Sequence, residues 1–256
     1  MSPRPELAPL RQVAEDVAAD WGLELGPPFP LSRFAYVAPA GHDTVLKVTS
    51  PDDDESDEEA DALGLWAGEG AVRLLRRDVG RRALLLQRAR PGTDLAALPD
   101  DEATAIAVDV GLRLWRPAGA PFRRVGDHVP RWLANAERAG ASPALVRVAS
   151  RLYAALEPGS STLVHGDLHH HNLLDAGGRY LAIDPKPMLG EPEFDVPTYL
   201  WNPLSCRMRR DVTERRIAAF AAAGLDERRI RAWAVIRGAY LRSDPRELEL
   251  LRALIP

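Results

Sequence analysis

A polar segment between short apolar runs constrains the fold of this chain more than any other feature. His165-Gly166-Asp167-Leu168-His169-His170-His171-Asn172 stands in a second half that otherwise reads as helical, and Asp184 follows some residues later. The flanking runs predict a strand at residues 163–165 and a hairpin formed by residues 173–174 and 180–183. The polar side chains therefore lie on a loop and at a strand end, where they can converge.

Three oxygen-bearing side chains make this segment a candidate site for phosphoryl transfer. Asp167 and Asn172 stand five residues apart on one loop, and Asp184 ends the next hairpin strand. Magnesium prefers hard oxygen ligands and already carries phosphate oxygens, so that one carboxylate and one amide suffice. The remaining carboxylate can accept the proton of an attacking hydroxyl.

The first third of the chain predicts a small sheet with one helix. Residues 34–38 and 44–49 form a hairpin signal, and residues 71–75 and 83–87 form a second one. Between the two hairpins, Ser50 can cap a helix that has Pro51 in its first turn and continues to about Ala67.

The remainder of the chain is predicted to be mainly helical. The segment Arg90-Pro91-Gly92-Thr93-Asp94 is typical of a linker. The sequence therefore predicts that the chain is divided into two parts, residues 1–88 and 89–256. Capping residues, glycines and prolines delimit six predicted helices, at residues 101–115, 129–139, 143–156, 212–223, 227–241 and 245–254.

Lys47 is the second part of the candidate site. The chain contains 31 arginines but only two lysines, Lys47 and Lys186. Lys47 lies in the middle of a predicted strand and is followed by an acidic helix, which favours a phosphate-binding ammonium steadied by a carboxylate. The alternative is an edge-strand charge that discourages aggregation.

These motifs resemble the aminoglycoside phosphotransferase superfamily, and within it the streptomycin 6-kinase and hydroxyurea phosphotransferase group. The resemblance is carried by the polar segment, by Ile183-Asp184-Pro185-Lys186-Pro187 and its continuation to Asp195, and by Val45-Leu46-Lys47. It implies an α+β, bilobal protein-kinase-like fold, with a small N-terminal nucleotide-binding lobe and a larger, mainly helical lobe for catalysis and substrate binding.

The resemblance also implies roles for individual residues. Asp167 is then the catalytic base, Asn172 and Asp184 hold Mg²⁺, and Lys47 contacts the phosphates of ATP. Glu59 pairs with Lys47, with Glu58 and Glu55 as alternative partners. The nucleotide would also contact backbone groups near Ser32, Arg88 and Ala89. His165 and Asp195 would support the catalytic loop.

The implied reaction moves the γ-phosphoryl group of ATP to a hydroxyl of a cationic small molecule, with a streptomycin-like aminoglycoside as the leading acceptor. Glu191 and Glu193 could attract its cationic groups, or they could simply be exposed to solvent. Two alternatives stay open: a metabolic kinase for a sugar or amino alcohol, and a nucleotide-binding pseudokinase. Neither the acceptor hydroxyl nor the choice between ATP and GTP follows from the sequence.

Composition excludes several other classes. A formal net charge of −4 disfavours a nucleic-acid partner. No uncharged apolar run reaches the roughly 18 residues of a membrane span, and the charged residues 1–20 do not form a signal peptide. Cys206 is the single cysteine, which favours a reducing, cytoplasmic setting. We expect a monomer.

The three consecutive histidines suggest a zinc site. Neighbouring side chains on an extended loop point in alternating directions, however, which argues against metal binding by these histidines.

Overall fold

The chain forms two compact units in a computed structural model that describes residues 8–29, 34–54, 57–159, 161–203, 209–241 and 245–256. The first unit consists of Met1–Thr93 and Leu174–Lys186, and the second of Asp94–Leu173 and Pro187–Pro256. The first unit thus includes a short segment that the sequence-based division places in the second lobe.

The first unit is built on an antiparallel sheet of four strands. In chain order these are β1 (Ala35–Pro39), β2 (Thr44–Thr49), β3 (Leu74–Asp78) and β4 (Ala83–Gln87). Their spatial order is β1-β2-β4-β3, so β2 is an interior strand. Lys47 stands opposite Val37 on one side and Leu84 on the other. The edge-strand explanation for Lys47 is therefore wrong.

Among the described residues of the first unit there are two α-helices, although the sequence predicted one. Helix α1 (Ala8–Trp21) buries Leu10, Ala14 and Val17 in a core with residues of β1 and β2. Helix α2 (Glu59–Trp66) begins nine residues later than the predicted cap at Ser50. Ser50 instead accepts hydrogen bonds from Asp52 N at 3.2 Å and Asp53 N at 3.1 Å, which form a turn before the helix.

A hairpin of β7 (Leu173–Asp175) and β8 (Tyr180–Ala182) carries Asp184 into the first unit. The amide groups of Gly177 and Gly178 donate to Asp175 Oδ1 at 2.9 and 3.0 Å, which closes the turn. Ala182 is bonded on both sides to the segment after α2, because its amide donates to Gly70 O and its carbonyl accepts from Val72 N. The hairpin therefore has a fixed place beside α2.

The second unit is mainly helical. Its helices are α3 (Asp100–Leu114), α4 (Val125–Arg138), α5 (Pro143–Leu156), α6 (Val196–Leu200), α7 (Arg210–Ala222), α8 (Glu227–Leu241) and α9 (Pro245–Ala253). Helix α8 packs against five of the others, α4, α5, α6, α7 and α9. Large side chains fill the core: Trp233, Tyr199, Phe194 and Phe220 are each at most 1% exposed.

A short sheet and three 3-10 turns complete the second unit. The strands are β5 (Arg116–Pro117), β6 (Thr162–Val164) and β9 (Met188–Gly190), and the turns are Leu95–Ala97, His170–Asn172 and Pro192–Phe194. Strands β5 and β9 were not predicted. Within the described residues, none of the helices is both long enough and apolar enough to cross a membrane.

Candidate active site

The ammonium group of Lys47 is held by two carboxylates in the first unit. Its Nζ lies 2.8 and 2.7 Å from the two oxygens of Glu59, and 2.6 Å from Asp184 Oδ1. Lys47 is 6% exposed and Glu59 1% exposed. The interior strand β2 and the first residue of α2 fix the two partners, so this cation has a defined position.

The surroundings keep Lys47 charged. Burial disfavours its ammonium form, but Glu59 and Asp184 outweigh burial and raise the pKa of Lys47 above its usual range. Burial raises the pKa of Glu59, while the positive charges of Lys47 and Lys186 act in the opposite direction. The cluster is therefore a buried ion pair in which each charge depends on its partner.

Asp184 reaches Lys47 from an unusual backbone conformation. It stands two residues after β8 and has a φ of 54°, in the left-handed region that few non-glycine residues adopt. Its side chain remains 45% exposed although one oxygen binds Lys47. Strain of this kind at a polar residue often accompanies a functional role, because the surrounding structure has to maintain it.

In the second unit, the backbone of the loop before Asp167 is held by Asp195. This fully buried carboxylate accepts hydrogen bonds from His165 N at 2.8 Å, Gly166 N at 2.7 Å and Trp115 Nε1 at 2.9 Å. Gly166 has a φ of 82°, which glycine adopts without strain. The carbonyl of Gly166 accepts from Arg237 Nη2 at 3.0 Å. The loop is therefore fixed from both sides.

Replacing Trp115 with phenylalanine tests this support. The variant keeps an aromatic ring but removes one donor to a buried carboxylate, so we expect the free energy of unfolding to fall by about 1–2 kcal/mol. Urea unfolding at neutral pH measures the change. In an Asp195→Asn background the same substitution should have a smaller effect, because the charged acceptor is already lost. Equal effects in both backgrounds would show that the bond to Asp195 is not the cause.

The carboxylate of Asp167 lies beside His169, with 3.5 Å between Oδ2 and Nε2. Burial opposes ionisation of Asp167, but His169, Arg237 and His165 favour the charged form and together lower the pKa of this carboxyl. Asn172 Nδ2 donates to the backbone carbonyl of Asp167 at 3.0 Å. The predicted base and one predicted metal ligand are thus joined within the same loop.

The three consecutive histidines face three different partners. His169 lies beside Asp167, and His171 Nδ1 lies 2.6 Å from Asp94 Oδ2. His170 is buried and stacks on Tyr199 with 4.1 Å between ring centroids. Burial and the nearby Arg216 guanidinium lower the pKa of His170 to about 2, so its ring is neutral. His170 and His171 thus contact residues outside the loop, whereas His169 contacts Asp167 within it.

The residues predicted to contact the nucleotide are only partly described by the structure. Ser32 and the alternative partner Glu55 lie outside the described residues. Arg88 stands directly after β4; its amide donates to Asp43 O at 2.8 Å, and its guanidinium lies 5.9 Å from the centre of the Phe29 ring. Ala89 is 8% exposed. The role of Arg88 and Ala89 in nucleotide binding stays a prediction.

Glu191 and Glu193 are buried, so the interpretation that they are simply exposed to solvent is wrong, whereas attraction of a cationic acceptor stays a prediction. They are 8% and 9% exposed. Glu191 binds Arg229, with Nη2 at 2.5 Å, and accepts from Trp233 Nε1. Glu193 accepts from Asp226 N at 3.0 Å. Both residues therefore attach the segment after β9 to the region of α8.

Sequence reasoning missed two polar contacts close to the predicted residues. Arg237 donates to Gly166 O and also to Phe194 O at 2.9 Å. Lys186 Nζ lies 3.0 Å from Asp53 Oδ2. The scarcity of lysine was a signal for the second contact, whereas Arg237 is one of many arginines and nothing in the sequence distinguishes it.

The predicted metal ligands have the chemistry that Mg²⁺ requires. The amide nitrogen of Asn172 is used by Asp167 O, which leaves the amide oxygen as its atom for a cation. Asp184 offers a carboxylate that is partly exposed. Both are hard oxygen donors, the type that Mg²⁺ prefers alongside phosphate oxygens. Each of the two residues, taken by itself, therefore offers a donor of the type that Mg²⁺ takes, and their joint role stays a prediction.

Comparison with known proteins identifies the family of this chain. The family described as aminoglycoside/hydroxyurea antibiotic resistance kinase matches residues 31–243. The hydroxyurea phosphotransferase of Kitasatospora aureofaciens is 35% identical over 237 residues, which cover 85% of this chain and 67% of that protein. The streptomycin 6-kinase of Streptomyces glaucescens is 32% identical over 252 residues, which cover 89% and 80%.

The fold agrees with a solved structure of the same general class. A thermostable mutant of an aminoglycoside phosphotransferase, in a ternary complex with ADP and hygromycin B, superposes with a TM-score of 0.59 at 18% identity. The match covers 95% of both chains. The chain therefore has a kinase-like fold with an N-terminal antiparallel sheet and a helical C-terminal part, as predicted.

Proposed function

The chain belongs to the aminoglycoside/hydroxyurea antibiotic resistance kinase family, and we propose that it transfers the γ-phosphoryl group of ATP to a hydroxyl of a streptomycin-like aminoglycoside. The observation that carries the proposal is the fixed ammonium of Lys47, held between Glu59 and Asp184 at 2.6–2.8 Å. If Asp184 turns to Mg²⁺, the ammonium keeps Glu59 as its partner and can contact nucleotide phosphates.

In this proposal Asp167 accepts the proton of the acceptor hydroxyl. The hydroxyl oxygen bonds to the γ-phosphorus, the bond from that phosphorus to the bridging oxygen breaks, and ADP leaves. The lowered pKa of Asp167 keeps the carboxylate ionised at neutral pH, and the bonds of Asp195 and Arg237 to the preceding loop hold it in place. Asp167 would also orient the substrate, because its carboxylate can accept a hydrogen bond from the hydroxyl that is phosphorylated.

Lys47 would neutralise phosphate charge, and Glu59 would keep its ammonium in position. Asn172 and Asp184 would hold Mg²⁺, which supplies charge neutralisation at the phosphates when it is bound. Solved structures with a similar fold include complexes with ADP and with GDP, which is consistent with a nucleotide donor and leaves ATP as the proposed one. Arg88 and Ala89, directly after β4, would offer backbone contacts to the nucleotide.

Streptomycin is favoured as acceptor for two reasons. Streptomycin kinases from Streptomyces and Klebsiella are among the relatives at 32–39% identity. The formal net charge of −4 also attracts a cationic acceptor. Hydroxyurea is the second candidate, because a hydroxyurea phosphotransferase is 35% identical over most of this chain.

An acceptor panel tests the proposal. We expect Mg²⁺-dependent ADP release from ATP with streptomycin, and the phosphorylated product identified by mass spectrometry. Hydroxyurea, hygromycin B, choline and simple sugars serve as comparison acceptors at equal concentration. ADP release with hydroxyurea alone would move the assignment to the second candidate. Release with a sugar or an amino alcohol alone would identify a metabolic kinase and contradict the proposed acceptor.

A further inference from the structure

Both lysines of the chain belong to the first unit, and each is paired with a buried carboxylate. Lys47 binds Glu59, and Lys186 Nζ lies 3.0 Å from Asp53 Oδ2. Asp53 is 8% exposed. Elsewhere this chain uses arginine for positive charge, with 31 arginines against two lysines. Lys47 and Lys186 are therefore the two positions of the sequence at which the positive charge is an ammonium.

Lysine and arginine present their positive charge in different ways. Arginine presents a broad planar guanidinium, whereas lysine presents a compact ammonium on a flexible stem. A compact charge suits a site where the cation has to fit among several oxygens at once. Lys47 meets this description, because three carboxylate oxygens surround it.

The position of Lys186 in the chain places it close to the same site. It follows Asp184 by two residues, and Asp184 binds Lys47 directly. The charge of Lys186 also acts on Glu59, where it opposes the effect of burial. The Lys186 side chain is 20% exposed against 7% for Lys47, so its ammonium is the more accessible of the two.

The carboxylate that binds Lys186 is itself held in place. Arg82 Nη2 donates to Asp53 O at 2.5 Å, and the same guanidinium binds Asp57. Asp53 N donates to Ser50 O, which closes the turn after β2. The pair of Lys186 and Asp53 therefore repeats the arrangement of Lys47 and Glu59: an ammonium steadied by a buried carboxylate with a fixed backbone.

We propose that Lys186 is a second phosphate-binding ammonium, which contacts the terminal phosphates of the nucleoside triphosphate while Asp53 steadies it. This inference rests on the proposed function, because it requires a nucleotide bound near Asp184. The competing explanation is that Lys186 and Asp53 only connect the turn after β2 to the segment after Asp184. The two explanations differ in whether the charge of Lys186 matters once the connection is kept.

Replacing Lys186 with glutamine separates them. Glutamine can still donate a hydrogen bond to Asp53, so the connection is kept while the positive charge is lost. We expect the affinity for ATP, measured by calorimetry with Mg²⁺ present, to fall about 10-fold or more, the loss of one charge-assisted contact. The affinity for ADP should fall less, and that for adenosine should stay within about twofold. A loss that grows with the number of phosphates identifies a phosphate contact.

Arg77→Met is the matched control. It removes one positive charge from the first unit and breaks the ion pair between Arg77 and Asp61. The side chains of Arg77 and Asp61 are 49% and 40% exposed. ATP affinity should be unchanged in this variant. Asp53→Asn is the complementary variant: it weakens the connection and keeps the Lys186 charge, so its loss of ATP affinity should be smaller than that of Lys186→Gln.

Three results would overturn the inference. ATP affinity equal to wild type in Lys186→Gln would remove the phosphate contact. Equal weakening of ATP and adenosine, or a greater loss in Asp53→Asn than in Lys186→Gln, would show that only the structural connection matters. If the wild-type protein itself binds no ATP, the proposed function fails first. Thermal melting of each variant confirms that the binding data refer to folded protein.

Discussion

Replacing Asp167 with asparagine is expected to lower kcat by about 10²-fold or more, the contribution of a positioned general base. Asparagine has nearly the same shape but cannot take the proton of the acceptor hydroxyl. The backbone carbonyl of Asp167 that receives Asn172 Nδ2 is retained, so the loop should keep its conformation. Coupled-assay measurement of ADP release with saturating ATP and acceptor gives kcat directly.

The control for this substitution is Asp109→Asn in α3. Asp109 is a surface carboxylate with a side chain 69% exposed, and it forms an ion pair with Arg113 one helical turn away. The control should leave kcat and the affinity for ATP unchanged. If Asp167→Asn consumes ATP in the presence of acceptor as fast as wild type, Asp167 is not the base, and the proposed mechanism has to be abandoned.

Replacing Lys47 with methionine is expected to remove both stability and activity. Without the ammonium, Glu59 remains as a buried carboxylate that has lost the cation bonded to it, and the loss of one member of a buried ion pair costs about 3–5 kcal/mol. Urea unfolding measures this loss. Phosphoryl transfer should fall to background in the same variant, because the contact to the nucleotide phosphates is gone.

The double variant Lys47→Met/Glu59→Gln separates the two effects. A neutral amide at position 59 no longer demands a cation, so part of the lost free energy of unfolding should return, while phosphoryl transfer stays absent. Arg77→Met is again the comparison, since an exposed ion pair contributes only about 0–1 kcal/mol. If the Lys47→Met variant is as stable as wild type, the buried ion pair of Lys47 and Glu59 does not stabilise the fold.

The strands and helices that sequence reasoning placed well are those whose signals are local. Strands β2 and β4 and helices α5 and α8 begin and end where turn residues, caps and glycines predicted. Helix α1 was missed although Leu10, Ala14, Val17 and Trp21 follow the spacing of an amphipathic helix. That signal was present and was used only to exclude a signal peptide.

Other differences arise from contacts that no local pattern contains. Ser50 and its neighbours have the composition of a helix start, but Asp53 is drawn into a turn by Arg82 and Lys186, so α2 begins at Glu59. The burial of Glu191 depends on Arg229 and Trp233, which lie about forty residues later in the chain. The residue types of the site could be read from the sequence, whereas these partners required the fold.

Because lysine is scarce, reagents that acylate amines can modify only a few side chains of this protein. The side chains of Lys47 and Lys186 are the only side-chain amines in the sequence, and both belong to the unit that contains Asp184. Apart from the α-amino group of the N-terminus, acetylation, succinylation or a fluorescent ester would therefore modify the neighbourhood of the proposed phosphate contacts and leave the arginine side chains unmodified. Because Lys186 is the more exposed of the two, it should react first.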